Sequence, residues 1–161
     1  TRRSSDLFDT IRMEQADWSQ RNFPHNKPYH PLLGMVEEMG EWEAANTEED
    51  EKDAIGDLLI YMCDYANRNR LQFMEPAPEN WMRWNTALSK LCHFHLKMEQ
   101  GIRYSLEAAQ DGKQEHFDML MCRVFYTAHQ MGFDAAQILS DVWRTVRERD
   151  WTKNKVDGSS N

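Results

Sequence analysis

The stretch Pro31-Leu32-Leu33-Gly34-Met35-Val36-Glu37-Glu38-Met39-Gly40-Glu41-Trp42 is followed, after a short acidic gap, by Asp53-Ala54-Ile55-Gly56-Asp57-Leu58-Leu59. At about 100° per residue, Leu32, Met35, Val36, Met39 and Trp42 fall on one side of a helix, and Glu37, Glu38 and Glu41 fall on the other. Pro31 suits a first helical turn, and the spacing predicts a helix running to about Ala45. In the second segment Ile55, Leu58, Leu59, Met62 and Ala66 form an apolar stripe opposite Asp53, Asp57 and Asp64, which predicts a helix over residues 53–70. Residues 46–51 between them read as an acidic turn with Thr47 as a cap.

Outward from this pair, Leu7, Phe8, Ile11 and Ala16 mark one side of a helix over residues 6–21, and the prolines and asparagines of residues 22–28 mark a loop. Glu75-Pro76-Ala77-Pro78-Glu79 is an internal break. Helices are expected from about 81 to 100, 114 to 131 (closed by Gly132) and 134 to 149, with a loop around Asp111-Gly112-Lys113 and a frayed tail at 157–161. No segment alternates polar and apolar residues as a strand does, so the expected fold is all-α, in one domain over residues 1–161. Residues 119–133 align with residues 57–71, apolar on apolar at most positions, and residues 88–91 align with residues 39–42. In that register Glu37, Glu38, Glu41 and Asp57 become Thr86, Ala87, Lys90 and Met119. The chain then divides into an acidic half, residues 1–74, and a second half, residues 80–156. The second half is either a degenerate copy, giving a duplicated four-helix core with one acidic site, or a hairpin that matches by chance.

Composition narrows the function. The net charge is −8, and the excess acid lies entirely in the first 66 residues. No Lys or Arg stands between Lys27 and Lys52, whereas eight Asp or Glu do. A nucleic-acid binder needs a basic surface, so that class is disfavoured. No stretch approaches the roughly 18 apolar residues of a membrane span. The cysteines (Cys63, Cys92 and Cys122) are odd in number and widely spaced, which fits free thiols in a cytoplasm better than disulfides or zinc.

Glu38 and Glu41 are three apart, Glu37 and Glu41 four, and Asp53 and Asp57 four, so each pair shares a helical face. A short connection makes the two helices antiparallel neighbours whose carboxylates can meet. Acids opposite an apolar stripe are commonly a solvated face, but such a face interleaves Lys or Arg at i+4, and none is present here. Clustered carboxylates must protonate or share a cation, and hard divalent ions favour oxygen ligands.

Glu37-Glu38-Met39-Gly40-Glu41 followed by Asp53-Ala54-Ile55-Gly56-Asp57 resembles the E-E-x-x-E … E-x-x-D signature of the MazG-like all-α nucleotide pyrophosphatases, which include the dimeric dUTPases and dCTP pyrophosphatases. The similarity covers about residues 15–70. Arg21-Asn22-Phe23-Pro24, Leu32-Leu33-Gly34 and Arg149-Asp150-Trp151 resemble phage and bacterial members. The resemblance implies a MazG-like helical bundle hydrolysing (d)NTP to (d)NMP and pyrophosphate with Mg2+, or with Mn2+ in its place. It implies Glu38, Glu41, Asp57 and, displaced by one position, Asp53 as metal ligands, with Glu41 or Glu37 as the base. The Glu of E-x-x-D falls on Ala54, a departure from the pattern.

Trp143 and Arg147 match a Trp/basic pair used near the nucleotide in such enzymes. Arg149, Lys153 and Lys155 extend the basic cluster that would hold outer phosphates, and Trp18, Phe23 and Tyr61 are candidates to stack on the base. Asn67 and Asp64 are candidates for hydrogen bonds to base or sugar. The implied setting is the cytoplasm of a bacterium, or of a host if the chain is phage-encoded, and a homo-oligomer, dimer or tetramer. Phage-type members include enzymes that clear dGTP, and the flanking motifs lean that way. The alternatives are an enzyme directed at dUTP or dCTP, and a non-catalytic helical protein serving oligomerisation or regulation, which Ala54 favours.

Overall fold

The computed structural model describes residues 2–81 and 98–153. They form helices α1 (Arg2–Asn22), α2 (His30–Ala44), α3 (Glu48–Asn69), α4 (Met98–Ala109), α5 (Gln114–Gln130) and α6 (Ala135–Val146), with no strand among the described residues. The fold is all-α, as the periodicity predicts. None of these helices is long and apolar enough to cross a membrane.

The boundaries differ from the predicted ones in two informative places. The acidic run before Asp53 is the first turn of α3 and not a separate turn. Thr47 Oγ1 accepts from the Asp50 amide at 3.1 Å, and Glu48, Glu49, Asp50 and Glu51 lie where the positive end of the helix dipole favours them. Residues 101–109, where periodicity places no element, belong to α4. Residues 82–97, including Leu88, Lys90 and Cys92, lie outside the described residues, so all but the ends of the 81–100 prediction do too.

α3 is the central element. It packs most extensively on α2, then on α6 and α1, whereas α4 pairs chiefly with α5. Ile55, Leu58, Leu59, Met62 and Ala66 are all buried, as their spacing predicts. Two helical glycines set how closely α3 is approached. A Cβ on Gly56 would stand 2.3 Å from Val142 Cγ2 of α6, and a Cβ on Gly34 of α2 would stand 2.3 Å from Cε1 of Tyr61. At the other end of the molecule Phe8 packs on Phe73 and Phe125, with ring centroids 5.2 and 6.0 Å apart.

α3 and α5 end alike. Arg70 is left-handed (φ 58°) and the Leu71 amide reaches back to Ala66 O at 2.8 Å. Gly132 is left-handed (φ 80°) and the Phe133 amide reaches Ala128 O at 2.8 Å. These are partner positions in the register proposed for the two halves, although such caps close a large share of all helices.

Candidate functional site

The flank of α2 that meets α3 carries the acidic motif, but the helix is rolled from the orientation predicted by its stripe. Glu38 is only 7 % exposed, whereas Val36 is 58 % and Leu33 66 % exposed. The buried positions are Pro31, Gly34, Met35, Glu38 and Met39. Gly34 explains the roll: with no side chain there, the Tyr61 ring lies directly on the α2 backbone and draws that flank inward. Glu38 follows it into the interface, while Glu37 and Glu41 stay exposed.

Glu38 Oε2 is buried with no hydrogen-bond partner. Burial pushes its carboxyl up to about 8, and the charges of Asp57, Glu41, Glu37 and Asp53 add to that push. Asp57 is raised to about 6 by burial and by Asp53 and Glu41, against an opposing pull from Arg149. The five carboxylates picked out by the motif therefore act on a common region. A buried acid without a donor is costly, and it is relieved by a proton or by a cation. The donor set is all oxygen, which fits a hard divalent ion such as Mg2+. Among the described residues no three Asp, Glu, His or Cys side chains are already drawn together at metal-holding spacing. Ala54 is buried in the core, so that position offers no ligand.

Further along α3 the candidates separate. Tyr61 borders the acids: burial, then Glu38, Glu37, Asp57 and Asp64, hold its hydroxyl up at about 12, so it remains a donor at neutral pH. Asp64 is a structural acid. Its Oδ1 accepts from Ser19 Oγ at 2.8 Å and from Arg68 Nε at 3.0 Å, and Arg68 also donates to Asn26 O and Phe23 O of the α1–α2 loop. The i, i+4 spacing of Asp64 and Arg68 was a usable signal for this pair. Asn67 Nδ2 donates to Arg12 O at 3.0 Å and to Gln15 Oε1 at 2.8 Å, which ties it to α1 and not to an open site.

The aromatic candidates gather between α1 and α6. Trp18 is 8 % and Trp143 3 % exposed, edge to face with centroids 5.9 Å apart. Phe23, half-buried, packs on Trp18 at 5.7 Å and on Trp151 at 6.3 Å. Trp18 and Trp143 are therefore enclosed core rings here, and neither presents a free face to a base. Trp143 Nε1 donates to Glu14 Oε2 at 2.7 Å, and Arg147 Nη1 stands 3.5 Å from the same oxygen. Glu14 is a partner that no sequence spacing could disclose, being 129 residues from Trp143. Lys153 is highly exposed and lies 3.6 Å from Asp150. Arg103 pairs with Glu43, and Lys155 lies outside the described residues.

Two concavities lie elsewhere. A cavity of about 200 Å³ is lined by Met39, Trp42, Glu51, Ile102, Thr127 and Met131. A more open groove of about 540 Å³ runs between α2 and α4 past Val36, Gly40 and Leu106. Glu38, Glu41 and Asp57 line neither. The acidic region is marked by its charge and by the burial of Glu38, apart from these two hollows. In comparisons with known proteins, no family model, no curated protein and no solved structure matches this chain.

Proposed function

We propose that this protein is a divalent-cation-dependent nucleoside triphosphate pyrophosphohydrolase of the MazG-like kind, converting (d)NTP and water to (d)NMP and pyrophosphate. The observation that carries the reading is the buried, unpartnered Glu38 carboxyl at the α2–α3 interface, within the field of Asp57, Glu41, Glu37 and Asp53. A fold that needed only stability would place an apolar or hydrogen-bonded residue there. Glu38, Glu41, Asp57 and Asp53 would hold Mg2+ or Mn2+. When bound, the ion would neutralise phosphate charge as the α–β anhydride is attacked.

The remaining work falls to the chain. Glu41 or Glu37, exposed beside Glu38, would accept the proton of the attacking water. Tyr61, which keeps its hydroxyl proton, supplies a donor at the rim. Gly34 lets that ring sit on α2, one helical turn before Glu38.

The test is pyrophosphate release over a panel of ribo- and deoxynucleoside triphosphates with Mg2+, Mn2+ or EDTA, including dGTP, dUTP and dCTP. Release with metal and none in EDTA is expected, and Glu38→Gln should lower it by on the order of 100-fold or more. One observation favours a second reading: Ala54, where the family signature has a carboxylate, is buried in the core. On that reading the protein is a non-catalytic helical module, and neither release nor any metal-dependent rise in melting temperature would be seen.

A further inference from the structure

Most basic side chains in and after α6 are already engaged. Arg147 lies on Glu14 and Glu148 at 3.5 Å each, Arg144 on Asp141 at 3.6 Å, and Lys153 on Asp150 at 3.6 Å. Arg68 is closed on Asp64. Arg149 differs. Among the described residues its guanidinium makes no hydrogen bond and no ion pair, although it is half-buried.

Its backbone, by contrast, is held on both sides. The Trp18 indole Nε1 donates to Arg149 O at 3.0 Å, and the Arg149 amide donates to Val146 O at 3.0 Å. Two residues on, the Trp151 amide donates to Asn22 Oδ1 at 2.8 Å. Trp18 is itself fixed by Trp143 and Phe23. One residue before Asp57, Gly56 brings α6 against α3 through Val142. Arg149 lies three residues past the end of α6, the helix that Val142 holds against α3 beside Asp57. No ion pair joins its guanidinium to that carboxylate.

An arginine next to carboxylates ordinarily closes a forked, two-bond pair with one of them. One anchored close by but left open keeps its planar donor set for a third, anionic group. We propose that Arg149 is the phosphate-receiving residue of this site, taking non-bridging oxygens of the substrate's polyphosphate, and that the Trp18 indole is the positioning group that holds it. The inference rests on the nucleotide-hydrolase reading and narrows the C-terminal basic cluster expected to hold outer phosphates to Arg149, since Arg147 lies on Glu14 and Lys153 on Asp150.

The test uses the full chain as wild type, Arg149→Gln, Arg149→Lys, Trp18→Phe and, as a control for lost charge, Arg144→Gln. Melting temperatures are read with Mg2+ alone and with Mg2+ plus inorganic tripolyphosphate, which offers phosphates without a base. Mg2+ alone should raise the melting temperature of all five. Tripolyphosphate should add a further rise in wild type and Arg144→Gln, a smaller one in Arg149→Lys and Trp18→Phe, and none in Arg149→Gln. In hydrolysis assays KM should rise about 10-fold or more in Arg149→Gln, the loss expected for a charge-assisted hydrogen bond.

A full tripolyphosphate rise in Arg149→Gln overturns the proposal while leaving the hydrolase reading intact. Should that variant fail to fold, a wild-type response in Arg149→Lys together with an unchanged KM overturns it equally. Absence of any metal response and of pyrophosphate release in wild type would remove both readings together.

Discussion

A carboxyl held near 8 beside another held near 6 ties stability to pH in the direction opposite to an ordinary ion-paired acid. Between 4.5 and about 8 folded Glu38 keeps a proton that the unfolded chain has lost. Its contribution is therefore complete below the unfolded value and is lost as pH rises through the folded one. Asp57 adds the same trend between 3.8 and about 6. Without metal, the melting temperature should fall from pH 5 to pH 8 and then level off. Glu38→Gln should flatten that slope and melt higher than wild type at pH 8, yet lose activity by on the order of 100-fold or more. Added Mg2+ should bind more tightly as pH rises, because binding releases those protons. Asp64 answers to other physics. Its partner Arg68 is nearly enclosed, so Asp64→Ala leaves a buried charge unmatched and should cost about 3–5 kcal/mol in urea unfolding. Such a loss would identify Asp64 as a structural residue, whatever happens to activity.

At the scale of elements, the contact of α3 with α6 depends on a missing side chain. Gly56→Ala puts a methyl 2.3 Å from Val142 Cγ2 and 2.8 Å from its Cβ. Valine is stiff at that position, so α6 must shift. Overpacking of this kind costs about 1–3 kcal/mol, against a helix-propensity gain of up to about 1 kcal/mol for replacing glycine. Gly56→Ala should thus lower the melting temperature, and Val142→Ala added to it should restore most of the loss. The helices themselves were legible: the buried stripe of α3 follows directly from the period of Ile55, Leu58, Leu59, Met62 and Ala66. The angular setting of α2 was not. A hydropathy wheel places Val36 inward and Glu38 outward because it counts only side-chain character. What rolls the helix is a ring from another element occupying the space above Gly34. Likewise the acidic positions could be found from spacing, but Asn67 and Trp143 owe their roles to partners on α1 that no local period encodes.

Over the whole molecule, the net charge of −8 is concentrated around the acidic half. A triphosphate approaching that surface alone meets like charge, which slows encounter and weakens binding. Calorimetric titration with a nucleoside triphosphate should give measurable heat with Mg2+ and essentially none in EDTA. Binding of equal strength in both would show that the acids are bystanders. The clamp between Trp18 and Arg149 has a further consequence, in time as well as space. Carboxylates and guanidinium are separated by most of the chain, so a ribosome adding about 5–20 residues per second completes Asp57 several seconds before Arg149 exists. Throughout that interval the nascent chain has its repelling acids and Trp18, but neither the distant arginine nor Trp143, against which Trp18 packs. The stretch that brings in Arg149 is thus translated well after the acidic helices, and synthesis order alone delays the assembled site until α6 has been made.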